Sequence, residues 1–313
     1  MARAACTRSI GAIARSPVSC TSCRNPPITT TSSKSRSVSA HRRPRRSSCP
    51  KAMPLVATPA VVLQTYRYSE SSKVVRLATR DLGVQSAIAK GVLRPRSRFG
   101  AALEFLSEGE AQLYFRDSRE LHTLAAFDVT NLRRGLALDM ARFAGAAALA
   151  QVMLKMAPPA PLPAAFDTLT AGLELLASAS PEGVEAAAVR ALWVLVTELG
   201  FGPSLASCVR DGAAIAPSDG APVAFSAADG GVFCRRCAPA QPPTQLPAED
   251  YRDLLALNDP AAALPALDAP HAAAHRRLVA RFVRHHLDAE SLSALDSWEG
   301  HAWAILSPSP AAS

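Results

Sequence analysis

The sequence predicts a multidomain α+β protein in which a five-stranded β-barrel precedes an all-helical domain that carries a cysteine-containing insertion. Two changes along the chain support this fold class. From Val61 to Phe127 apolar residues alternate with polar ones, as in half-buried strands, whereas after Asn131 they recur at helical spacing. An irregular stretch at 201–238 then interrupts the helical pattern and contains three cysteines.

The barrel is predicted at residues 53–130, where turn residues separate short runs of β-branched and aromatic residues. The predicted strands are Val61–Tyr66, Lys73–Thr79, Gly83–Lys90, Leu103–Phe115 and Glu120–Phe127. Five short strands within about 75 residues are typical of a small closed barrel, and the OB-fold is the common barrel of this kind that binds single strands.

The helical domain is predicted at residues 131–313, with a disordered tail at 304–313. Three sets of apolar residues lie at helical spacing: Leu132, Leu136, Met140 and Phe143; Val189, Leu192, Trp193, Val196 and Leu199; and Leu278, Val279, Phe282, Val283 and Leu287. Pro158–Pro163 separates two helices, and Gly200 is expected to end the Trp193 helix. No apolar run reaches the length of a membrane span.

The net charge of +8 is distributed unevenly along the chain. Residues 1–52 contain eleven of the 34 Lys and Arg residues and no Asp or Glu, so the remaining 261 residues carry 23 basic and 26 acidic side chains, a net charge of −3. Residues 67–98 reverse this sign locally, with eight basic residues against Glu70 and Asp81, a net charge of +6. The body is therefore mildly acidic and has one basic face.

The basic leader, residues 1–52, is rich in Ser, Thr, Arg and Pro and is predicted to be disordered. It lacks the apolar core of a secretory signal. Two interpretations fit: an organellar transit peptide, or an over-extended start with translation beginning at Met53, which we favour. The pair Cys20 and Cys23 then has no structural role.

The main positive feature is the segment from Lys90 to Phe105, a loop broken by Gly and Pro between two predicted strands. Such a loop suits phosphate binding, and aromatic side chains beside it can stack on bases. The predicted nucleic-acid-binding residues are Arg67, Lys73, Arg76, Arg80, Lys90, Arg94, Arg96, Arg98, Tyr66 and Phe99, with Tyr68 as a further stacking candidate. For the aromatic residues the alternative is a place in the barrel core, and for the arginines a solvated loop.

The insertion at 201–238 resembles a zinc ribbon in its spacing of ligand residues. Cys208 and Asp211 form one C-x2-D pair, and Cys234 and Cys237 form a C-x2-C pair 22 residues later. Two C-x2-C pairs mark structural zinc, and an Asp oxygen can replace one sulfur. One structural zinc is predicted, with Asp229 as a second candidate for the fourth ligand. The alternative is a loop that has lost its metal and is held by packing alone.

These features, in this order, resemble the bacterial RecO recombination-repair family over residues 57–290. In the barrel the resemblance rests on Thr79-Arg80-x-x-Gly83, Lys90-Gly91 with Arg94-Pro95-x-Ser97-x-Phe99, Leu103-Glu104-Phe105 and Glu120-Leu121-x-x-Leu124. In the helical part it rests on Leu199-Gly200-Phe201-Gly202-Pro203-x-Leu205-x-x-Cys208, Phe225-Ser226 and Gly230-Gly231-x-x-Cys234-x-x-Cys237. The sequence departs from the family pattern at Asp211.

The resemblance implies a DNA-binding recombination mediator of the RecF pathway in the cytoplasm, associated with the nucleoid. It further implies binding of single- and double-stranded DNA, annealing of complementary strands, and cooperation with RecR in loading RecA onto gaps coated by SSB, whose C-terminal tail is expected to bind the helical domain. No membrane or small-molecule substrate is expected. The alternative function is a non-catalytic adaptor whose barrel binds an acidic protein partner.

Enzymatic motifs are absent from the sequence. It contains no G-x-x-x-x-G-K-[ST] phosphate loop and no evident Ser/His/Asp constellation, so we predict that the protein is not an enzyme. His271 and His275 have the i, i+4 spacing of metal ligands, but no Glu lies between them, and a solvated helix face is the favoured interpretation.

Overall fold

The computed structural model describes residues 54–100, 102–116, 118–217, 220–287 and 292–301. The predictions for the leader at 1–52, including Cys20 and Cys23, and for the tail at 304–313 lie outside the described residues.

Five strands close into a barrel in the order β1-β2-β3-β5-β4. The strands are β1 (Leu55–Arg67), β2 (Lys73–Thr79), β3 (Gly83–Ala89), β4 (Glu108–Tyr114) and β5 (Leu121–Asn131). All neighbours are antiparallel except β3 and β5, which run parallel over residues 86–88 and 121–123. The predicted five-stranded OB-fold barrel is confirmed.

Two predicted strand starts were wrong. β1 begins six residues earlier than predicted, at Leu55, and β4 begins at Glu108 instead of Leu103. Leu103 and Leu106 are only 4% and 3% exposed, but they lie on turns of the β3–β4 connection. Their burial in a folded loop produces the apolar pattern that resembles a strand.

Strand alternation fills the barrel and also gives it a second apolar face. Val75 and Leu77 of β2 point into the barrel core, whereas Ala78 belongs to the core of the helical domain. Val61 and Leu63 of β1 and Val84 of β3 join that second core. The outer face of the barrel is therefore packed against helices on one side.

In the described part of the chain, six α-helices follow the barrel. They are α1 (Met140–Met156), α2 (Pro163–Ser178), α3 (Val184–Val196), α4 (Ala248–Asn258), α5 (Ala269–His286) and α6 (Ser293–Glu299). Asp139 and Asp268 cap α1 and α5 by accepting backbone N–H bonds, and Pro163 occupies the first turn of α2. A π-helical turn at Thr197–Phe201 ends α3 with Gly200 at φ +90°. None of the described helices is long and apolar enough to cross a membrane.

The helices pack around α3, whose Trp193 is fully buried and lies edge-on to Phe282 of α5. The insertion between α3 and α4 forms a three-stranded sheet in the order β7-β6-β8, with β6 at Val223–Ser226, β7 at Gly231–Phe233 and β8 at Thr244–Leu246. The buried Tyr251 hydroxyl of α4 donates to the carbonyl of Leu205 at 2.6 Å, which holds the insertion against the helices. The predicted helical domain with a ribbon-like insertion is confirmed.

The β2–β3 turn contacts the chain that follows α1. A Cβ at Gly83 would lie 2.1 Å from the carbonyl oxygen of Ala160 and 2.6 Å from that of Pro158. Gly83 also has φ +72°, which L residues with a side chain rarely adopt. Only glycine therefore satisfies both the backbone angle and the close approach.

We expect Gly83→Ala to lower the free energy of unfolding by at least about 3 kcal/mol, because strain and a backbone clash combine. Gly91 is the matched control, since it has φ +73° but a methyl group added there would meet only the side chain of Arg94, at 3.6 Å. Gly91→Ala should cost about 1 kcal/mol from strain alone. Equal losses in urea unfolding would contradict the role of the Ala160 contact.

Candidate nucleic-acid interface and metal centre

The basic loop connects β3 to β4 and exposes Lys90, Arg94, Arg96 and Arg98. Successive turns form it: the N–H of Arg94 donates to Gly91, that of Ser97 to Arg94, and that of Gly100 to Ser97, at 3.0–3.2 Å. These bonds satisfy the backbone of the loop locally. Its four basic residues are exposed to solvent.

The loop lies beside the turn between β1 and β2. The N–H of Leu93 donates to the carbonyl of Ser71 at 3.1 Å. In the strand register Arg67 pairs with Lys73, and Lys73 pairs with Ala89, the residue before Lys90. The structure therefore brings Arg67, Lys73 and the loop cations to one end of the barrel.

These cations have no ion-pair partner in the part of the chain that the structure describes. Among the described residues, none of Arg67, Lys73, Lys90, Arg94, Arg96 and Arg98 pairs with an acidic side chain. Arg96 has φ +102°, a strained backbone angle of the kind that occurs at binding sites. Unpaired cations held close together repel one another and favour a polyanion as partner.

Two tyrosines extend this surface. Tyr66 is 48% exposed near the end of β1, and Tyr68 is 63% exposed in the β1–β2 turn. Tyr66 pairs in register with Val74, and Gln64 pairs with Arg76, so Tyr66 and Arg76 lie on the same outer face. An exposed aromatic ring beside unpaired cations can stack on a base.

The predicted stacking role of Phe99 is not supported, because its side chain belongs to the barrel core and is only 3% exposed. The guanidinium of Arg98 lies 4.9 Å from the ring centroid. A buried ring presents no face to a base, so the core interpretation applies to Phe99. Arg98 packs over this ring at the loop surface.

The structure also separates Arg80 from the other predicted basic residues. Arg80 lies in the β2–β3 turn, at the opposite end of β2 from Lys73, and its Nε and Nη2 both donate to the Asp167 carboxylate of α2 at 2.9 Å. Hydrogen bonding to Arg80 holds the pKa of Asp167 below its usual range. Arg80 is thus an ion-pair partner of the helical domain, and its charge is already compensated.

A groove of about 720 Å³ lies along the barrel where β2 and β3 meet the β4–β5 loop. Arg76 and Ser86 line one side, and Arg119 and the buried His122 line another. Phe115 stacks on His122 with ring centroids 4.5 Å apart. Arg119 and its neighbour Arg116 were not among the predicted DNA-binding residues, although both lie in the short connection between the last two predicted strands, where a pair of arginines indicates a basic surface.

The metal-ligand candidates converge as their spacing predicted. One ligand atom from each of Cys208, Asp211, Cys234 and Cys237 lies within 4.8 Å of the others. Asp211 Oδ2 is 3.2 Å from the Sγ of Cys237 and 3.5 Å from that of Cys234. Asp229, the second candidate, lies instead in the β6–β7 turn, where it accepts from the Ser226 hydroxyl at 2.6 Å.

The donor set fits a structural zinc ion. Each ligand pair sits on a tight turn: the N–H of Gly212 donates to Cys208, and that of Cys237 donates to Cys234. Three sulfurs and one carboxylate oxygen supply the four ligands that tetrahedral zinc takes. Bound there, zinc would cross-link the two turns of the insertion.

Electrostatics favour an ionised Asp211. Its pKa is lowered well below the usual range, chiefly by Arg236, whose Nη2 donates to Oδ2 at 2.7 Å. The Asp211 carboxylate in turn raises the pKa of Cys237 to about 12. Burial opposes ionisation of Cys208, but the backbone N–H groups of Cys234, Asp211 and Arg210 outweigh it and lower its pKa.

The fold and site define an OB-fold protein whose helical domain carries a ribbon with a zinc-type ligand set. Comparison with known proteins agrees with this class. Residues 53–133 match the family described as "Recombination protein O N terminal", and residues 137–296 match "Recombination protein O C terminal".

Similar proteins include the DNA repair protein RecO of Anaeromyxobacter dehalogenans (strain 2CP-C), 35% identical over 241 residues that cover 75% of this chain and 92% of the relative. The DNA repair protein RecO of Rubrobacter xylanophilus is 32% identical over 243 residues, with the same coverage of 75% and 92%. The chain belongs to the RecO family of DNA repair proteins.

The full chain should retain about one zinc ion after dialysis without added metal, since a four-ligand sulfur-rich site binds zinc tightly. Cys237→Ser should lose it, and Asp211→Cys should bind it more tightly. The matched control is the double variant Cys20→Ser with Cys23→Ser, which removes thiols outside the site and should keep the ion. Less than about a tenth of an ion per chain would contradict the site.

Proposed function

We propose that this RecO-family protein binds DNA through the end of its barrel formed by the β1–β2 turn and the basic loop. The observation that carries the proposal is the set of cations there, exposed except for the partly buried Lys73, which lie beside Tyr66 and Tyr68 and have no ion-pair partner among the described residues. The rest of the chain after residue 52 is net acidic, so this charge is local and is not a property of the overall composition.

The geometry supports binding that does not depend on base sequence. Lys and Arg neutralise phosphates and release counterions, whereas stacking on tyrosine tolerates any base. We expect a bound DNA strand to continue from this end of the barrel into the groove lined by Arg76 and Arg119, which runs along β2 and β3. Ligands of OB-folds commonly bind this face and the adjoining loops.

We further propose the role that family membership implies. The protein acts without catalytic turnover: it holds single- and double-stranded DNA, anneals complementary strands, and with RecR helps RecA load onto gaps coated by SSB. The helical domain supplies docking surfaces for these proteins, including the SSB C-terminal tail. Its place of action is the cytoplasm, at the nucleoid.

A fluorescence anisotropy titration against oligo-dT over a salt series tests DNA binding. The chain starting at Met53 should be measured beside the full chain, because the leader adds eleven basic residues. Affinity should fall steeply as salt rises. No affinity at low salt, or affinity indifferent to salt, would contradict the proposal and leave an acidic protein segment as the partner.

Changing Arg94, Arg96 and Arg98 together to alanine should flatten the slope of log K against log salt by about 2, since each single-strand phosphate contact contributes about 0.7. The control is the triple alanine variant of Arg134, Arg252 and Arg277, three exposed arginines of the helical domain. It removes the same charge and should leave the slope unchanged. Equal effects of the two variants would reject the loop as the contact.

Arg80→Ala should leave the salt slope unchanged, because Arg80 already pairs with Asp167. Arg94→Ala, at an unpaired position, should lower it by about 0.7. A slope change for Arg80 as large as that for Arg94 would show that the ion pair opens when DNA binds.

A further inference from the structure

A second group of metal-ligand side chains lies between α4 and α5. Asp250 and Asp253 are one turn apart on α4, and His275 is on α5. One ligand atom from each lies within 4.8 Å of the other two. The group shares no residue with the Cys208, Asp211, Cys234 and Cys237 site.

His275 is buried, and no described residue forms a hydrogen bond with its side chain. Its residue is 2% exposed, so the predicted solvated helix face is wrong at this position. Neither ring nitrogen has a hydrogen-bond partner among the described residues, and the same holds for the buried Oδ1 of Asp250. Two of these three atoms are close to each other, since Nε2 of His275 lies 3.8 Å from Oδ1 of Asp250. Buried polar atoms of this kind call for a ligand between them.

His271, one turn before His275, is oriented as metal-bound histidines are. Its Nδ1 lies 2.6 Å from Oδ1 of Asp268, the residue that also caps α5. Its Nε2 lies 3.6 Å from Oε1 of Glu249 and 3.9 Å from Oδ1 of Asp250, too far from either for a hydrogen bond. A carboxylate that holds one ring nitrogen leaves the other free to bind metal.

We propose that Asp250, Asp253 and His275 bind a divalent transition-metal ion of the zinc class, with His271 as the fourth ligand on the exposed side. Mixed carboxylate and imidazole donors suit such an ion. Bonds of about 2.0–2.2 Å hold tetrahedral donors about 3.3 Å apart. Nε2 of His275 and Oδ1 of Asp250, which are 3.8 Å apart, must therefore approach by about half an ångström, and donors at the 4.8 Å limit of the group by about 1.5 Å.

The ion would cross-link α4 and α5, the helices next to the insertion. Tyr251, next to Asp250, donates its hydroxyl to the carbonyl of Leu205 and so ties α4 to the start of the insertion. An ion that fixes α4 against α5 would therefore also fix the helix to which the insertion is bonded. The site has a structural role and is independent of the proposed DNA contact.

The test is a metal titration of the full chain carrying Cys20→Ser and Cys23→Ser, with its tightly held zinc in place. Calorimetry with Zn²⁺ should find about one further ion per chain, and Co²⁺ should give visible absorption without a thiolate charge-transfer band, as oxygen and nitrogen ligands require. The proposal would be overturned if saturating Zn²⁺ added no further ion to the chain. It would also be overturned if the further Co²⁺ ion showed a thiolate charge-transfer band.

Asp253→Asn should abolish the second ion, and His271→Gln should weaken its binding at least about tenfold. Both residues are only partly buried, so these variants spare the core that His275 occupies. His285→Gln, an exposed histidine of the same helix, is the control and should bind as the parent does. Binding to Asp253→Asn as tight as to the parent would overturn the proposal, as would equal losses in Asp253→Asn and His285→Gln.

Discussion

The close approach of the β2–β3 turn to the chain after α1 fixes how the barrel sits on the helical domain. Gly83 makes that approach possible, the N–H of Val84 donates to the carbonyl of Pro158, and Arg80 pairs with Asp167 nearby. β2 and β3 each have seven residues, so their opposite ends lie about 20 Å from this contact. The cations that lack an ion-pair partner among the described residues lie at those opposite ends, away from the helical domain. Arg80 lies at the contact itself and is therefore separated from them.

The sequence was informative wherever the signal is local. Alternation identified the five barrel strands, and the C-x2-D and C-x2-C pairs identified four ligands that converge in the structure. Both patterns depend on a few neighbouring residues, whose geometry a strand or a tight turn determines. The approach of Asp211 to Cys237, 26 positions apart, could be predicted because each of the two pairs places its own two ligands on one tight turn.

The failures share a different cause: the deciding contact is distant in the chain. Arg80 resembles the loop arginines in sequence, but its partner Asp167 is 87 positions away. Phe99 stands among exposed residues, yet folding of the loop directs its ring into the barrel. His275, four residues after His271, was predicted to lie on a solvated helix face, but the packing of α4 on α5 buries it. Net charge has the same limitation, since it counts the leader and takes no account of ion pairs.

The surroundings of Asp211 explain why a carboxylate can stand in the fourth ligand position of the insertion. With zinc bound, three thiolates and one carboxylate would carry the same formal charge as four thiolates, and Arg236 donates to Asp211 from outside the ligand set. Packing also holds the insertion, because buried Phe233 and Ala224 pack on Cys208, and Tyr251 donates a hydrogen bond to the start of the insertion. An insertion held at several points can accept a harder fourth ligand, since a metal bound there would have to stabilise two turns and not the whole sheet.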